Sequence, residues 1–303
     1  MKKTVPVLII GMLGVLLLLR PEAVSGAVQT GLTLCFRTII PSLFPFFVVV
    51  SLLLQLGLAD CLQGLCAPFM GPLFHLRGIC ALPLLTGLLG GYPSGAKTAA
   101  DLCRQGEITQ QEAELLLGFC DNCGPAFLLS YVGAGILGSP RAGVWLFLIH
   151  TAAALTVGML LCRLQPDRGP GRLRSNLPVK PITLPEALTS SVSGAMTSTL
   201  HICGFVVLFH ALTSLIPSQI PGAALGALEM VTGAAALEPG PAGFVAAAAI
   251  VGWGGLSVHC QAMAVTAGLS FRWHWLGKAA QAALSAAMAA GLLALWGGYP
   301  FLQ

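Results

Sequence analysis

Apolar residues run along this chain in long stretches, and the charged residues are confined to the segments between them. Five uncharged stretches are longer than the roughly 20 mainly apolar residues that an α-helix needs to cross a bilayer. They are 38–59, 142–162, 187–228, 239–271 and 279–303. Alternating segments of about ten residues, which are typical of membrane barrels, do not occur in the sequence. The pattern therefore predicts an all-α fold, that of a polytopic helical membrane protein.

The composition excludes the other broad classes. Only 9% of the 303 residues are charged, and 56% are hydrophobic. An average soluble domain carries about 25% charged residues, so this chain lacks the charge to cover the surface of a soluble globule. Disordered chains are poor in apolar residues, which excludes that class as well. The 37 glycines and 20 prolines indicate that several helices are interrupted.

The N-terminal segment resembles a signal peptide, because Lys2 and Lys3 precede an apolar run that extends to Leu19. Small residues at 23–27 leave cleavage open as an alternative. We expect an uncleaved N-terminal span over residues 1–30, since the rest of the chain is itself embedded in the membrane and needs no exported soluble domain.

A basic, proline-rich linker over residues 164–186 divides the chain into two parts. Five of the 15 basic residues lie in this linker or directly before it, namely Arg163, Arg168, Arg172, Arg174 and Lys180. Lysine and arginine accumulate in cytoplasmic loops, so we expect this linker and the N-terminus on the cytoplasmic side. The linker lacks aromatic and base-reading residues, and we therefore expect no nucleic-acid partner.

An internal repeat emerges when the two parts are overlaid at an offset of 164 residues, which places 90–94 on 254–258. The repeats are 31–163 and 187–303. In the first, we predict spans at 31–57, 112–137 and 142–163, and the segments 64–76 and 79–97 either both cross or form a re-entrant hairpin. Each alternative gives an odd number of crossings, so the repeats should be inverted, as in many secondary transporters.

The first repeat carries a helix break with a cation beside it. Its candidate binding residues are Gly91, Tyr92, Pro93, Ser94, Gly95 and Lys97. Glycines and a proline interrupt the apolar run, and Ser94 could cap a new half-helix whose amides face an anion. Lys97 would be the counter-charge of that anion. The alternative is an ordinary kink, with Lys97 reaching the interface.

The second repeat has a corresponding break, with the candidate residues Gly254, Gly255, Ser257 and Gln261. Glycines again interrupt the run and a serine could cap. The alternative is close helix packing at the glycines, with an interhelical hydrogen bond from a polar side chain. We expect the two breaks to meet near the middle of the bilayer. The scattered His75, His150, His201 and His210 are interpreted as packing or interface residues.

Two further groups complete the candidate site. Asn122, Gly124 and Pro125 follow Asp121 in another helix break, where an acid inside a membrane is costly and usually functional. Cys120 and Cys123 flank this break, but a zinc or redox site would require a second ligand pair or a thioredoxin context.

Glu229 is an isolated acid after the long uncharged run. It could exchange protons, coordinate a cation or pair with Lys97, or it could be an ordinary loop acid.

These motifs resemble the YlbJ family of sporulation integral membrane proteins, within the nucleoside-recognition or Gate-domain group. The resemblance is carried by residues 91–97, 119–125, 229–233 and 254–261, in that order. One departure is Asp121, where the family pattern leads us to expect asparagine. The resemblance implies two Gate-like repeats and a role in spore formation, with movement of dipicolinic acid across the outer forespore membrane.

From the residues alone, we expect a secondary transporter of a small polar or anionic solute, and together with the resemblance we expect a small anionic solute, most simply dipicolinic acid. A nucleoside or nucleobase transporter and a spore-envelope scaffold remain the alternatives. No nucleophile, base and orienting group form a visible set, so we expect no enzyme. We expect no cofactor and no metal, and as partners the solute and membrane lipid, with a homo-oligomer or other sporulation membrane proteins left open. The cell membrane or the outer forespore membrane is the expected location.

Overall fold

A computed structural model describes residues 4–53, 55–56, 59–164, 183–215 and 220–296. These ranges form helices and connecting turns without a strand, which confirms the all-α prediction. The positions of Lys2 and Lys3 and most of the basic linker, residues 165–182, lie outside the described residues. The cytoplasmic placement of the linker therefore stays a prediction.

The first part of the chain is built from long helices and short, broken ones. In chain order they are α1 (Thr4–Leu19), α2 (Pro21–Leu34), a π-helical turn (Cys35–Ile39), α3 (Ile40–Leu53), α4 (Ala59–Phe74), a 3-10 turn (Gly78–Cys80), α5 (Ala81–Gly90), α6 (Ser94–Gln105), α7 (Gln110–Leu116), a π-helical segment (Phe127–Ile136) and α8 (Pro140–Leu164).

The second part repeats this alternation of long and short helices. It contains α9 (Leu184–Thr213), α10 (Gly222–Leu225), α11 (Met230–Ala235), α12 (Pro241–Trp253), α13 (Gly255–Val265) and α14 (Arg272–Leu295). At the start of α9, the amide and the hydroxyl of Thr183 donate to Glu186 Oε2 at 3.0 and 2.8 Å, so the Glu186 carboxylate satisfies an amide at the helix N-terminus.

Among the residues that the structure describes, four helical segments are long and apolar enough to cross a membrane, namely Pro140–Leu164, Leu184–Thr213, Pro241–Val265 and Arg272–Leu295. Two bent helix pairs raise the number to six if each pair is one span. One pair bends by 87° between Phe74 and Gly78, which agrees with either of the two predicted arrangements of 64–97.

Two predicted spans differ from the structure. The segment 112–137 is not one helix. Helix α7 ends at Leu116, and helical structure begins again at Pro125. Gly118 and the polar and proline residues that follow explain the interruption. At the N-terminus the chain bends by 97° after Leu19, and α2 then begins at Pro21. The boundary between residues 30 and 31 therefore falls inside a helix.

The two helix breaks have the same layout. α5 and α6 are separated at Gly91, and α12 and α13 at Gly254 and Gly255, and all three glycines have a positive φ, of 75°, 89° and 80°. Glycine adopts this backbone region without the steric cost of a Cβ atom. The offset between the breaks agrees with the internal repeat, while its inversion across a membrane stays a prediction.

Close backbone packing sets the position of α14. A Cβ atom at Gly277 would lie 1.9 Å from the carbonyl oxygen of Gly118, so only glycine allows this approach. Gly252 of α12 makes a similar contact, since its Cβ would lie 2.8 Å from the Cα of Ala282. Small residues bring membrane helices together in this way. The contacts hold α14 against both the segment 117–125 and the second break.

Candidate functional site at the helix breaks

Tyr92 joins the two helix breaks. Its hydroxyl donates a hydrogen bond of 3.1 Å to the carbonyl of Val251 in the last turn of α12. The same hydroxyl lies 3.2 Å from the place that a Cβ atom at Gly254 would occupy. The breaks are therefore in contact, as the sequence predicts, and their depth in a membrane stays a prediction.

The segment 117–125 crosses the first break. Cβ atoms at Gly87 and Gly95 would lie 1.7 and 2.0 Å from the carbonyl oxygen of Cys120. Further along the same segment, Gly124 packs against Gly91. A Cβ atom added to Gly91 would lie 3.2 Å from the Gly124 nitrogen. The glycines on both sides of the break thus make room for a backbone crossing, which brings Asp121 and Asn122 to the start of α6.

The predicted serine caps are wrong. Ser94 is the first residue of α6, Pro93 holds the capping position, and no side chain caps this helix. Ser257 lies two residues inside α13, where its hydroxyl is 3.4 Å from Glu229 Oε1. The amides of Leu256 and Ser257 instead donate to the carbonyls of Ala227 and Leu228 at 3.0 Å each. The protein itself thus satisfies these two amides at the start of α13.

Glu229 is the N-cap of α11 and does not pair with Lys97. Its carboxylate is buried, with 2% exposure, and it accepts hydrogen bonds from the amides of Val231 and Thr232 at 3.0 and 2.6 Å. The Thr232 hydroxyl adds a bond of 2.8 Å. A carboxylate at a helix N-terminus is stabilised in this way, so Glu229 has a structural partner without a cation.

Lys97 lies on a polar cavity of about 340 Å³, which we call the Lys97 cavity. Hydroxyl and amide side chains of α3, α5, α6 and α9 and of the segment after α3 surround it, namely Ser51, Gln55, Thr86, Ser94, Thr98 and Ser198, with Asp101 at the same wall. Asp101 is ion-paired with Arg104. Lys97 is exposed, and among the described ion pairs it has no acidic partner. Its ammonium is therefore free to meet a solute.

A second cavity, of about 50 Å³, lies on the other side of the first break. We call it the Glu229–Gln261 cavity. Its wall includes five of the predicted residues, Gly91, Tyr92, Gly124, Glu229 and Gln261, together with the aromatic rings of Phe46, Phe47 and Phe127. Phe47 also lines the Lys97 cavity. This smaller space holds only a few water molecules, since one water needs about 10–15 Å³.

The other predicted residues shape the breaks and do not line either cavity. Pro93 and Gly95 lie at the start of α6. Gly255 packs closely against α11, because a Cβ atom added to it would lie 2.9 Å from the amide nitrogen of Met230. Pro125 begins the helical turn that leads to the π-helical segment. Asn122 is buried and donates to the Phe119 carbonyl at 2.7 Å. The sequence therefore predicted the positions of both breaks. It predicted one binding site, whereas the candidate residues line two separate cavities.

A buried polar stripe on α14 was missed by the sequence prediction. His274, Lys278, Gln281 and Ser285 are all 0% exposed. The Lys278 ammonium donates to Tyr92 Oη at 3.1 Å and to Gln281 Oε1 at 2.9 Å. It also lies 4.9 Å from the centre of the Tyr92 ring, within range of a cation–π interaction. The spacing of the four residues, which puts them on one helix face, was the signal available in the sequence.

Amide and imidazole groups connect this stripe to the crossing segment. Gln281 Nε2 donates to Asn122 Oδ1 at 3.0 Å. His150 of α8 accepts the amide N–H of Cys123 at 3.0 Å through Nε2. His150 therefore belongs to this network, in contrast to the packing role expected for it. Buried polar groups that are satisfied in this way fix one arrangement of the surrounding helices.

Two histidines continue the network towards α13. His259 Nδ1 and His274 Nε2 are 2.8 Å apart, and His274 Nδ1 lies 3.1 Å from the Leu117 carbonyl. Because a carbonyl only accepts, His274 Nδ1 is the donor of that bond. With both rings neutral, His259 Nδ1 donates to His274, and His259 Nε2 remains buried with no partner among the described residues. No group of three histidine, cysteine or acidic residues suited to a metal occurs within the described ranges.

The helical fold, the paired breaks and the membrane-length helices define a polytopic membrane protein with broken helices. Residues 36–213, more than half of the chain, match the family model described as Gate, nucleoside recognition. The chain therefore belongs to the Gate family. The match runs from the first repeat through the linker into α9.

The chain is also similar to a curated sporulation protein. It is 33% identical over 141 residues to the sporulation integral membrane protein YlbJ of Bacillus subtilis (strain 168). The alignment covers 46% of this chain and 35% of YlbJ, so the chain matches about a third of the length of that relative. No solved structure matches the chain. These findings confirm the resemblance drawn from the motifs.

Proposed function

We propose that this integral membrane protein transports a small anionic solute, with dipicolinic acid as the substrate. The observation that carries the proposal is the Lys97 cavity beside the first helix break. Its volume of about 340 Å³ falls in the range of small-molecule sites, roughly 300–1,000 Å³. Its Lys97 ammonium has no acidic partner among the described ion pairs and lies beside several hydroxyl and amide groups, which suits a small carboxylate.

The broken helices support transport over a purely structural role. Secondary transporters place their sites at discontinuous helices, and irregular backbone at membrane depth is tolerated where protein or a water-filled cavity satisfies it. Both breaks of this chain meet at Tyr92, and the Lys97 cavity opens beside one of them. A scaffold would require neither the breaks nor the cavity, and no catalytic step is proposed.

The choice of dipicolinic acid rests on the YlbJ resemblance. That relative is a sporulation integral membrane protein, and the family resemblance implies the pyridine dicarboxylate of spores. We accordingly propose the outer forespore membrane as the location, with the N-terminus in the cytoplasm. The Lys97 ammonium would face one carboxylate, and the surrounding hydroxyls would donate to the other.

The test is uptake of labelled dipicolinate into vesicles that contain the purified protein. Lys97→Met should abolish saturable uptake while the protein remains folded, because Lys97 is exposed. Lys97→Arg should restore only part of it, since the guanidinium is larger and planar. Arg272→Met is the matched control, because it removes an exposed cation that stacks on Trp273 outside the cavity. Wild-type uptake by Lys97→Met would contradict the proposal.

A nucleoside or nucleobase is the second candidate, because of the groups that line the Glu229–Gln261 cavity, but this cavity of about 50 Å³ would have to widen before a base entered it. Several aromatic rings and the Gln261 amide meet there, and Gln261 Oε1 has no hydrogen-bond partner among the described residues. These are the groups that would stack on a base and bind its edge. Labelled uridine and adenine in the same vesicles distinguish the candidates, and Gln261→Leu should reduce only their uptake. If none of the three solutes crosses, the scaffold alternative is favoured.

A further inference from the structure

We propose that Asp121 is a proton-binding site and that solute transport is coupled to its protonation. This inference rests on the proposed transport function and adds the coupling ion. It is carried by two observations, an enclosed carboxylate with no hydrogen bond of ordinary geometry among the described residues and a fully buried lysine that acts on it. Asp121 is the acid that the sequence marked as costly inside a membrane, and neither Glu229 nor Lys97 takes part.

The Asp121 carboxylate is enclosed by protein. The residue is 0% exposed, and neither of its oxygens has a hydrogen-bond partner of ordinary geometry within the described residues. The Lys278 ammonium acts on it across space, and the backbone amide of Ala96 in the first turn of α6 gives it one weak hydrogen bond that falls short of ordinary geometry. A buried acid whose oxygens lack completed hydrogen bonds is poorly stabilised as a carboxylate, so it is suited to bind a proton.

Lys278 provides the opposing charge. It is also 0% exposed, and its two hydrogen-bond acceptors, Tyr92 Oη and Gln281 Oε1, are neutral. Its charge is therefore balanced by Asp121 across space and not by a direct ion pair. In such an arrangement, each partner strongly affects the other when its charge changes.

The titratable groups that act on this pair lie at the first break, in the segment 117–125 and on α8, α13 and α14. Tyr92 lies at the first break, Cys120 and Cys123 flank Asp121, and His150 belongs to α8. Two more, His259 and His274, lie further along α13 and α14 beside Lys278. None of them is a second carboxylate. Asp121 is thus the one acid that balances Lys278 among the groups that the structure places there.

The coupling follows from the contacts of Lys278. When Asp121 takes up a proton from solution, its carboxylate becomes a neutral acid and Lys278 loses its counter-charge. The positive potential at the first break then rises, which favours entry of an anion. Tyr92 transmits the change, because its hydroxyl accepts from Lys278 and donates to Val251 beside the second break. A proton and an anion would therefore move together.

The experiment uses the full-length protein in vesicles and two independent measurements. Infrared difference spectra between acidic and alkaline buffer detect the carbonyl stretch of a protonated, buried carboxylic acid. In parallel, dipicolinate uptake is measured with and without an imposed pH gradient, acidic on the side where the solute is added. Asp121→Asn is the test variant, and Glu238→Gln, at an exposed acid, is the matched control.

We expect the wild type and Glu238→Gln to show the acid band and uptake that increases several-fold with the gradient. Asp121→Asn should lose the band and the dependence on the gradient while still exchanging dipicolinate across the membrane. A band that persists in Asp121→Asn, or uptake by this variant that still follows the gradient, would overturn the inference. If the wild type transports no dipicolinate, the proposed function fails, and the infrared band alone decides whether Asp121 binds a proton.

A folding control is built into the pair. Asp121→Asn leaves Lys278 buried without a counter-charge, and this variant could be lost to misfolding. The double variant Asp121→Asn with Lys278→Met removes both charges and should remain folded. It should also lack the acid band and the response to the gradient. A double variant that keeps either one would exclude Asp121 as the proton site.

Discussion

The two helix breaks have the same backbone layout but different surroundings. At the second break, the carbonyls of Ala227 and Leu228 bind amides of α13, and Glu229 caps the neighbouring helix α11. At the first break, the start of α6 meets the buried Asp121 and opens onto the Lys97 cavity. The second break is thus held by internal hydrogen bonds, whereas charged groups surround the first. Under the two proposals, the second break provides stability, and the first binds the solute and the proton.

The largest effect is expected from Lys278→Met, which tests the charges at the first break. The variant leaves Asp121 buried without its counter-charge, and breaking a buried pair in this way costs about 3–5 kcal/mol. The free energy of unfolding in detergent measures it. The double variant with Asp121→Asn should recover most of the loss. Equal stability of the single and double variants would show that the two charges do not interact.

Gly95→Ala should be the next most damaging change. Its Cβ would lie 2.0 Å from the Cys120 carbonyl oxygen, and overpacking of this kind costs about 3 kcal/mol at the upper end of its usual range. Gly255→Ala at the second break should cost about 1–2 kcal/mol, because φ is 80° there. Gly291→Ala, with open space around it, is the control. Unfolding midpoints that rank the two breaks in the reverse order would contradict the comparison.

Glu229→Ala should separate stability from transport. The loss of a helix cap costs about 1–2 kcal/mol, so the unfolding midpoint should fall. Dipicolinate uptake per folded molecule should remain, because Glu229 does not line the Lys97 cavity. If uptake is abolished in a variant that is still folded, the second break also takes part in anion transport, and the assignment of separate roles is wrong.

The smallest effects are expected from Ser94→Ala and Ser257→Ala. Neither side chain caps its helix, so each variant should lose less than the roughly 1 kcal/mol that is typical of a true cap. Thermal unfolding of the two variants side by side is sufficient as a test. A larger loss in either one would restore the capping role that the sequence suggested.

Local patterns in the sequence were sufficient to find both breaks. Adjacent glycines, a proline and the long apolar runs around them determine where these helices end, and each of these signals is local. The serine caps were mispredicted because α6 and α13 begin earlier than the capping rule assumes, at Ser94 and Gly255. The prediction of one span over 112–137 was wrong for a related reason. The segment is apolar on average, and this average hides the helix interruption after Leu116.

The charged pair could not be predicted because it depends on tertiary contacts. Asp121 and Lys278 are distant in the sequence, and a buried lysine looks the same there as an exposed one. Their proximity follows from the Gly118–Gly277 contact, which joins two segments that no local pattern relates. The polar face of α14 was visible in the sequence, but only as a spacing without a known partner.

The contact between Gly118 and Gly277 also has a mechanical consequence. The Gly118 carbonyl oxygen occupies the space that a side chain at Gly277 would need. If α14 slid along the segment 117–125, this oxygen would collide with the large side chain of Trp273 or Lys278. These two parts should therefore move as one rigid body, with Asp121 and Lys278 fixed inside it. Any change of access during transport would then be a displacement of α2, α3 and α9 relative to that body. A cross-link that ties α3 to α5 should stop the motion, and one within the rigid body should leave it free.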